Sequence, residues 1–143
     1  MSESQPITGC RQGDIAGHVF LCGDPARVAP ISASWSGQRT VCAVREYSII
    51  TGERDGIELT AASTGIGAPS TAIVMEELAK LGAHTFLRVG NCGALDPSVE
   101  LGDLVITTGA VREDGTSNAY VIPQYPAVAS YDLVAALATA ASE

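Results

Sequence analysis

The chain has 143 residues, of which 46% are hydrophobic, and this suits a single domain with a sizeable core. Eight basic residues stand against sixteen acidic ones, and the net charge of −8 argues against general binding to nucleic acid or to an anionic membrane. The N-terminus has no basic start, and no apolar run approaches the roughly 18 residues that span a bilayer, so we expect a cytoplasmic protein.

Seven of the eight cations are arginines, the residue best suited to binding oxyanions through parallel donors. In so acidic a chain, any phosphate site must be local and concave. The four cysteines form no C-x-x-C pair, and only two histidines are present, so we expect reduced thiols rather than a metal site.

In chain order, residues 17–23 predict a short buried strand. Residues 24–32 then predict a helix, with Asp24 as N-cap and Pro25 at its first position. Residues 40–65 alternate and are rich in β-branched side chains, which predicts two antiparallel strands joined by a turn at residues 53–56.

Residues 67–83 give the strongest helical pattern, with Gly82 as the stop signal. One face is predicted to carry Ile73, Val74, Leu78 and Leu81. A strand at 84–90 completes a β-α-β unit over residues 57–90, for which a right-handed crossover and parallel pairing are expected.

Residues 102–113 predict another strand, residues 114–129 a loop, and Ser130 the start of a helix that runs to the last residue without a stop signal. The fold class is therefore α/β, with a mixed β-sheet flanked by helices and no internal domain boundary over residues 1–143.

Candidate site residues follow the strands, where open α/β sheets bind ligands. Gly23 precedes a helix start that has Arg27 one turn in, and anions are favoured there. The next strand-to-helix junction offers Thr64, Gly65 and Gly67. Glycine lets the backbone approach a ligand closely.

Two arginines lie in apolar, strand-like surroundings: Arg45, and Arg88, which is followed by Asn91, Cys92 and Gly93. A buried unpaired guanidinium is costly, so Arg88 must point outward or meet an anion. Three arginines and two glycine turns together indicate a polyanion pocket, although the dinucleotide and P-loop fingerprints are both absent.

Each feature also has a plainer interpretation. The Asp24 cap is common in ordinary helices, the turn at residues 64–67 suits tight loop geometry, and Arg45 fits an edge strand pairing with Glu46 or Glu53. Arg112 is interpreted as a solvent-exposed surface residue, and both histidines as surface or core residues. Cys92 is interpreted as a small packing residue beside glycine.

Six segments in this order and spacing resemble the N-terminal part of uridine phosphorylases, within the nucleoside phosphorylase superfamily. They are GDPARV, VREYSIITGERDG, STGIGAPSTAIVMEELAKLG, TFLRVGNCGAL, ELGDLVITTGAVREDGTS and YPAVASYDLVAAL. The resemblance implies a phosphorylase/hydrolase-like fold and the cleavage of a nucleoside by inorganic phosphate to free base and ribose 1-phosphate. It implies no metal or organic cofactor, with phosphate as co-substrate.

By position, the resemblance makes Gly23, Arg27 and Arg88 phosphate ligands within the subunit and places Arg45 in a neighbouring subunit's site. Thr64 to Gly67 would line the sugar and base region, and we add Gly93 to this group and Asn91 to the phosphate group. A homo-oligomer is expected, dimer-based and hexameric in the family, or else a complementary C-terminal chain.

Three departures from the family pattern stand out. Asn91 replaces a usual Thr or Ser, and Ile7 falls near a usual histidine that serves a neighbour's ribose site. Family members are also longer, and their second half supplies base recognition. The sequence is thus expected to be a fragment, a truncated product or half of a two-chain assembly. Alternatives are a purine nucleoside phosphorylase, a nucleosidase, or a non-catalytic remnant that binds phosphate or oligomerises.

Overall fold

The computed structural model describes residues 4–142, which divide into two compact units, one before and one after the Gly90–Asn91 bond. The first unit contains the main sheet and the helices packed on it. The second contains a short two-stranded sheet and one helix. The absence of an internal domain boundary stays a prediction.

The main sheet of the first unit has five strands in the order β2-β3-β4-β1-β5. The strands are β1 (His18–Cys22), β2 (Ser36–Val44), β3 (Tyr47–Arg54), β4 (Ile57–Ser63) and β5 (Thr85–Arg88). Strands β2, β3 and β4 pair antiparallel, whereas β1 pairs parallel with both β4 and β5. The predicted mixed sheet is therefore confirmed.

Two predictions of strand pairing need correction. Residues 40–65 belong to three strands rather than two, because β2 begins at Ser36 and ends before a turn at Arg45 and Glu46. Strands β4 and β5 are parallel but not neighbours, since β1 lies between them, with Phe20 opposite both Ala61 and Leu87. An apolar strand such as β1 can pair along both edges, and sequence order alone does not show which strand takes the centre.

After β1, a single 3-10 turn (Pro25–Arg27) leads into helix α1 (Val28–Ser32), and the Asp24 side chain accepts a hydrogen bond from the Ala26 N–H at 2.9 Å. The predicted N-cap is confirmed. Helix α2 (Ala68–Lys80) ends in a left-handed Gly82, with φ of 106°, and the Ala83 N–H donates to the Leu78 carbonyl at 3.1 Å. This is the glycine stop that the sequence predicts.

The core lies on both faces of the sheet, because alternate residues of a strand point to opposite sides. Val19 and Leu21 of β1 pack in the cluster that includes Val74, Leu78 and Leu81. Cys22 packs in a second cluster with Val28, Trp35 and Ala61, against which Phe20 also packs. The predicted apolar face of α2 is correct except for Ile73, which is 41% exposed at the edge of that face.

In the second unit, β6 (Gly109–Ala110) pairs antiparallel with β7 (Ala127–Val128), and a 3-10 turn (Thr116–Ala119) lies between them. The predicted strand at 102–113 is wrong apart from β6. A strand needs a neighbouring backbone for its hydrogen bonds, and within residues 4–142 only β7 pairs with this run. Leu104 and Val105 are accordingly exposed.

Helix α3 (Tyr131–Ala140) begins after Ser130 as predicted, but it ends at Ala140, before the last residue. Among residues 4–142, no helix is both long and apolar enough to cross a bilayer. The four cysteines are free thiols, as expected.

Candidate functional site

Three parallel strands of the first unit end side by side, and the predicted site residues of β1, β4 and β5 meet there. The Thr64 N–H donates to the Cys22 carbonyl at 2.8 Å, and the Val89 N–H donates to the Leu21 carbonyl at 2.7 Å. Gly23 therefore lies between the ends of its two neighbouring strands.

Arg88 lies next to this glycine. A Cβ placed on Gly23 would lie 3.9 Å from Arg88 Nη2 and 3.7 Å from the Gly65 carbonyl oxygen. A Cβ on Gly90 would lie only 2.6 Å from Arg88 Nη1, so the position of the guanidinium depends on glycine there. The arginine is exposed at the end of β5. It points outward, in agreement with one of the two expectations from the sequence.

Arg27 lies at the end of the 3-10 turn that follows Gly23. Both Arg27 and Arg88 act on the buried Cys22 thiol: burial raises its pKa, and the two positive charges oppose that shift. The negative charge of Asp24 acts in the other direction and adds to the rise in the Cys22 pKa. The strand ends thus combine two cations with a glycine backbone.

Arg45 is not in a strand, contrary to the sequence prediction. It lies in the two-residue turn between β2 and β3, with a left-handed φ of 55°, and its side chain is exposed. A β-prone stretch predicts extended backbone, but the tight reversal from β2 into β3 requires this conformation. The edge-strand interpretation of Arg45 is wrong, and its role at a neighbouring subunit stays a prediction.

A hydroxyl and carboxylate network joins this turn to the loop between β4 and α2. Ser70 Oγ lies 3.1 Å from both Glu46 Oε1 and the Tyr47 hydroxyl, and it also donates to the Thr64 carbonyl. The pKa of Glu46 lies below its usual value because the carboxylate accepts hydrogen bonds from its own backbone N–H and from Ser70. A Cβ on Gly65, whose φ is 67°, would lie 2.7 Å from Glu46 Cγ.

The sequence pattern predicts Glu46 only as an ion-pair partner of Arg45 and does not predict this contact with Ser70. The available signal was Ser70 in the first turn of the predicted helix, where hydroxyls often bond to nearby loops. Thr64 is buried and donates to the Gly65 carbonyl at 3.0 Å, and Gly67 forms the N-terminus of α2 with φ of 97°.

Asn91 and Gly93 belong to the second unit and are exposed. They follow Arg88 by three and five residues in the chain. Ile7 is partly exposed, and its N–H donates to Glu77. The structure thus brings together Gly23, Gly65 and Arg88, with Arg27 beside them.

Such an arrangement suits an oxyanion. Two guanidinium groups can donate parallel hydrogen bonds, and the glycine backbone leaves room for phosphate oxygens to approach. The surrounding chain is strongly acidic, so the positive charge at this edge is local.

A family model described as the phosphorylase superfamily matches residues 18–143. The chain belongs to this superfamily. A uridine phosphorylase from Thermococcus kodakarensis is 51% identical over 92% of the chain and 48% of its own length. A guanosine phosphorylase from Halorubrum lacusprofundi is 45% identical over 97% of the chain and 58% of its own length.

The fold agrees with this superfamily. The crystal structure of a uridine phosphorylase from Vibrio fischeri ES114 superposes with a TM-score of 0.94 at 36% identity, covering 98% of the chain and 59% of the phosphorylase. The family and phosphorylase-like fold inferred from the six segments are confirmed. The chain spans about half the length of the curated relatives it matches.

Proposed function

We propose that this chain provides the phosphate subsite of a nucleoside phosphorylase. Uridine-type nucleosides are the substrate class that we favour. The observation that carries the proposal is the position of the Arg88 guanidinium beside Gly23, with Arg27 at the end of the 3-10 turn that follows this glycine. The uridine phosphorylases among its relatives support the choice of substrate.

In this reaction a phosphate oxygen forms a bond to the anomeric carbon of the ribose as the bond to the base nitrogen breaks. The base departs with the electron pair and takes up a proton. Arg27 and Arg88 would hold the phosphate in line with that carbon and stabilise the charge distribution of the transition state, so catalysis depends on positioning and fixed charge.

The remaining candidates have supporting roles in the proposal. Arg45 and Asn91 would add contacts to phosphate, Arg45 from a neighbouring subunit. Thr64, Gly65, Gly67 and Gly93 would border the sugar and base. The network of Glu46 and Ser70 supports this assignment, since it fixes the loop that contains Thr64 and Gly65.

A purine substrate is the second candidate. The guanosine phosphorylase from Halorubrum lacusprofundi, at 45% identity, favours it. A nucleosidase is disfavoured because hydrolysis does not need the phosphate arginines, and Arg27, Arg45 and Arg88 are all present.

Assembly with further chains is part of the proposal. Leu95, Leu101 and Tyr131 of the second unit are all more than 80% exposed, and such apolar surface favours association. We expect a homo-oligomer or a complex with a complementary chain. Sedimentation of the purified 143-residue protein tests the homo-oligomer, and a stable monomer at all concentrations would contradict it.

The decisive assay measures base release by the 143-residue protein from uridine, guanosine, inosine and adenosine, each with and without phosphate. Phosphate-dependent release from uridine supports the proposal, and preference for guanosine or inosine supports the purine alternative. Release without phosphate would indicate a nucleosidase, whereas no release with retained phosphate binding would indicate a non-catalytic chain.

A further inference from the structure

Glu77 of α2 is a buried carboxylate that takes no part in the candidate site. Its side chain is only 5% exposed, and it accepts hydrogen bonds from the backbone N–H groups of Ile7 at 2.9 Å and Thr8 at 2.8 Å. Among residues 4–142 it forms no ion pair with a basic side chain. A buried charge of this kind depends on its hydrogen bonds, so these two donors are its compensation.

The donors belong to a segment that we call the strap, residues 5–12. Its first part is a closed turn, in which the Gln5 N–H donates to the Cys10 carbonyl at 2.8 Å and the Gly9 N–H donates to the Gln5 carbonyl at 3.0 Å. The strap adds no strand to the main sheet. Thr8 and Cys10 are its buried residues, and Cys10 is fully covered in the core cluster that contains Leu78.

The segment that follows the strap is held differently. The Ala16 N–H donates to Thr60 Oγ1 at 2.9 Å, and Thr51 Oγ1 donates to the Asp14 carbonyl at 2.8 Å, so residues 14–16 are fixed to β3 and β4. Gly13, with φ of 90°, lies between the two attachments, and a Cβ there would meet no atom within 4 Å. Two hydrogen bonds span Gly13, from the Arg11 N–H to Asp14 Oδ2 at 2.7 Å and from the Asp14 N–H to the Arg11 carbonyl at 3.0 Å. Arg39 Nη2 also donates to the Gly13 carbonyl at 3.0 Å. Gly13 thus separates a part bound to the sheet from a part bound to α2, and opening there must break the bonds between Arg11 and Asp14.

We propose that Glu77 is a latch that holds the strap closed, and that the strap opens as a unit about Gly13 while the sheet stays folded, uncovering Cys10. A second side-chain hydrogen bond joins the strap to the C-terminal end of α2, where Gln12 Nε2 donates to the Leu81 carbonyl at 3.3 Å. This bond is longer than the two bonds to Glu77, and its acceptor is uncharged. Hydrogen bonds to a charged acceptor are stronger than neutral ones, and the two bonds to Glu77 are shielded from water whereas the Arg11 bond to Asp14 is exposed. Loss of the latch should therefore shift the opening equilibrium more than loss of any other single contact of the strap. This inference does not depend on the proposed phosphorylase activity.

The test compares Glu77→Gln with Glu76→Gln in the 143-residue protein. Gln at position 77 keeps the size of the side chain but turns an amide NH2 toward one of the two donors. Glu76 is the matched control, because it removes the same charge from the neighbouring, exposed position, where it pairs with Lys80 at 3.5 Å. Hydrogen exchange of the Ile7 and Thr8 amides and thiol labelling of Cys10, located by peptide mapping, report opening.

We expect Glu77→Gln to raise amide exchange in the strap and labelling of Cys10 about tenfold or more, with β4 amides and the Cys22 thiol unchanged. Glu76→Gln should change none of these rates. Unchanged strap exchange in Glu77→Gln, or equal acceleration at Cys22 and in β4, would overturn the proposal.

A measurement on the unaltered protein covers the case in which Glu77→Gln does not fold. Exchange is followed at rising urea below the unfolding transition, where the urea dependence of each amide reports the surface exposed when it opens. Strap amides should show little dependence, and β4 amides the full dependence of global unfolding. If both groups show the same dependence, the strap does not open independently.

Discussion

Replacement of Arg88 by alanine should abolish most of the thermal protection that phosphate gives to this protein. The guanidinium lies 3.9 Å from where a Cβ on Gly23 would stand, and the residue is exposed, so its removal takes away the proposed anion contact and little packing. A parallel pair of charge-assisted hydrogen bonds contributes about 1.5–3 kcal/mol or more, and we take a hundredfold loss of affinity as the central expectation.

The size of the effect follows from linkage. Phosphate at about 100 times its dissociation constant stabilises the native state by roughly 2.7 kcal/mol, and a hundredfold weaker site would leave about 0.4 kcal/mol at the same concentration. For a chain of this size, protection should fall from roughly 5–10 °C to about 1 °C. Differential scanning fluorimetry with and without phosphate measures both values.

Arg54→Ala is the matched control, because Arg54 is an exposed arginine at the opposite end of the main sheet, as the last residue of β3. This variant should keep full protection, and both variants should melt near the parent protein in the absence of phosphate. Unchanged protection in Arg88→Ala would refute the assignment of Arg88 to phosphate. Equal loss in Arg54→Ala would show that phosphate acts through general charge.

Three further results are expected. Leu78→Ala should lower the free energy of unfolding by about 2–5 kcal/mol and the half-exposed Ile73→Ala by much less, as urea unfolding will show; equal losses would contradict the burial pattern. Gly65→Ala should destabilise by more than about 1 kcal/mol, since φ is positive and Glu46 blocks the Cβ; a neutral effect would contradict this. Ser70→Ala should raise the pKa of Glu46 toward 4.5 in an NMR titration. The hydrogen bond's stabilisation is present above pH 4.5 and is lost as the pH falls through the lowered pKa, so a Glu46 pKa unchanged by the substitution would contradict the assigned cause.

Local chemistry explains why much of the fold was predictable. The Asp24 cap, the turn between β3 and β4 and the Gly82 stop each depend on the conformational preferences of one or two residues. The cap and the stop are confirmed. The predicted turn at residues 53–56 is present but shorter, since Glu53 and Arg54 pair within β3 and only residues 55–56 turn. The apolar face of α2 is predictable from helical periodicity, and the prediction is wrong only for Ile73 at the edge of the face.

Two of the failures share a different cause. The central place of β1 and the shortness of β6 depend on which backbone lies alongside, and neighbouring backbones come from distant parts of the chain. The turn at Arg45 is local, but its apolar, β-prone surroundings conceal it. The network of Glu46 and Ser70 likewise joins residues 24 positions apart. Hydrogen bonds of this range leave no periodic pattern in the sequence.

The α/β class, most element positions and the superfamily could be predicted from the sequence, because they depend on residue type and local spacing. The same patterns supplied the candidate arginines and glycines, whose roles stay predictions. Only the tertiary structure shows that Arg88 lies beside Gly23 and that Glu77 accepts hydrogen bonds from the strap. Each of these results requires two segments distant in sequence to meet, and strand order and packing bring such segments together.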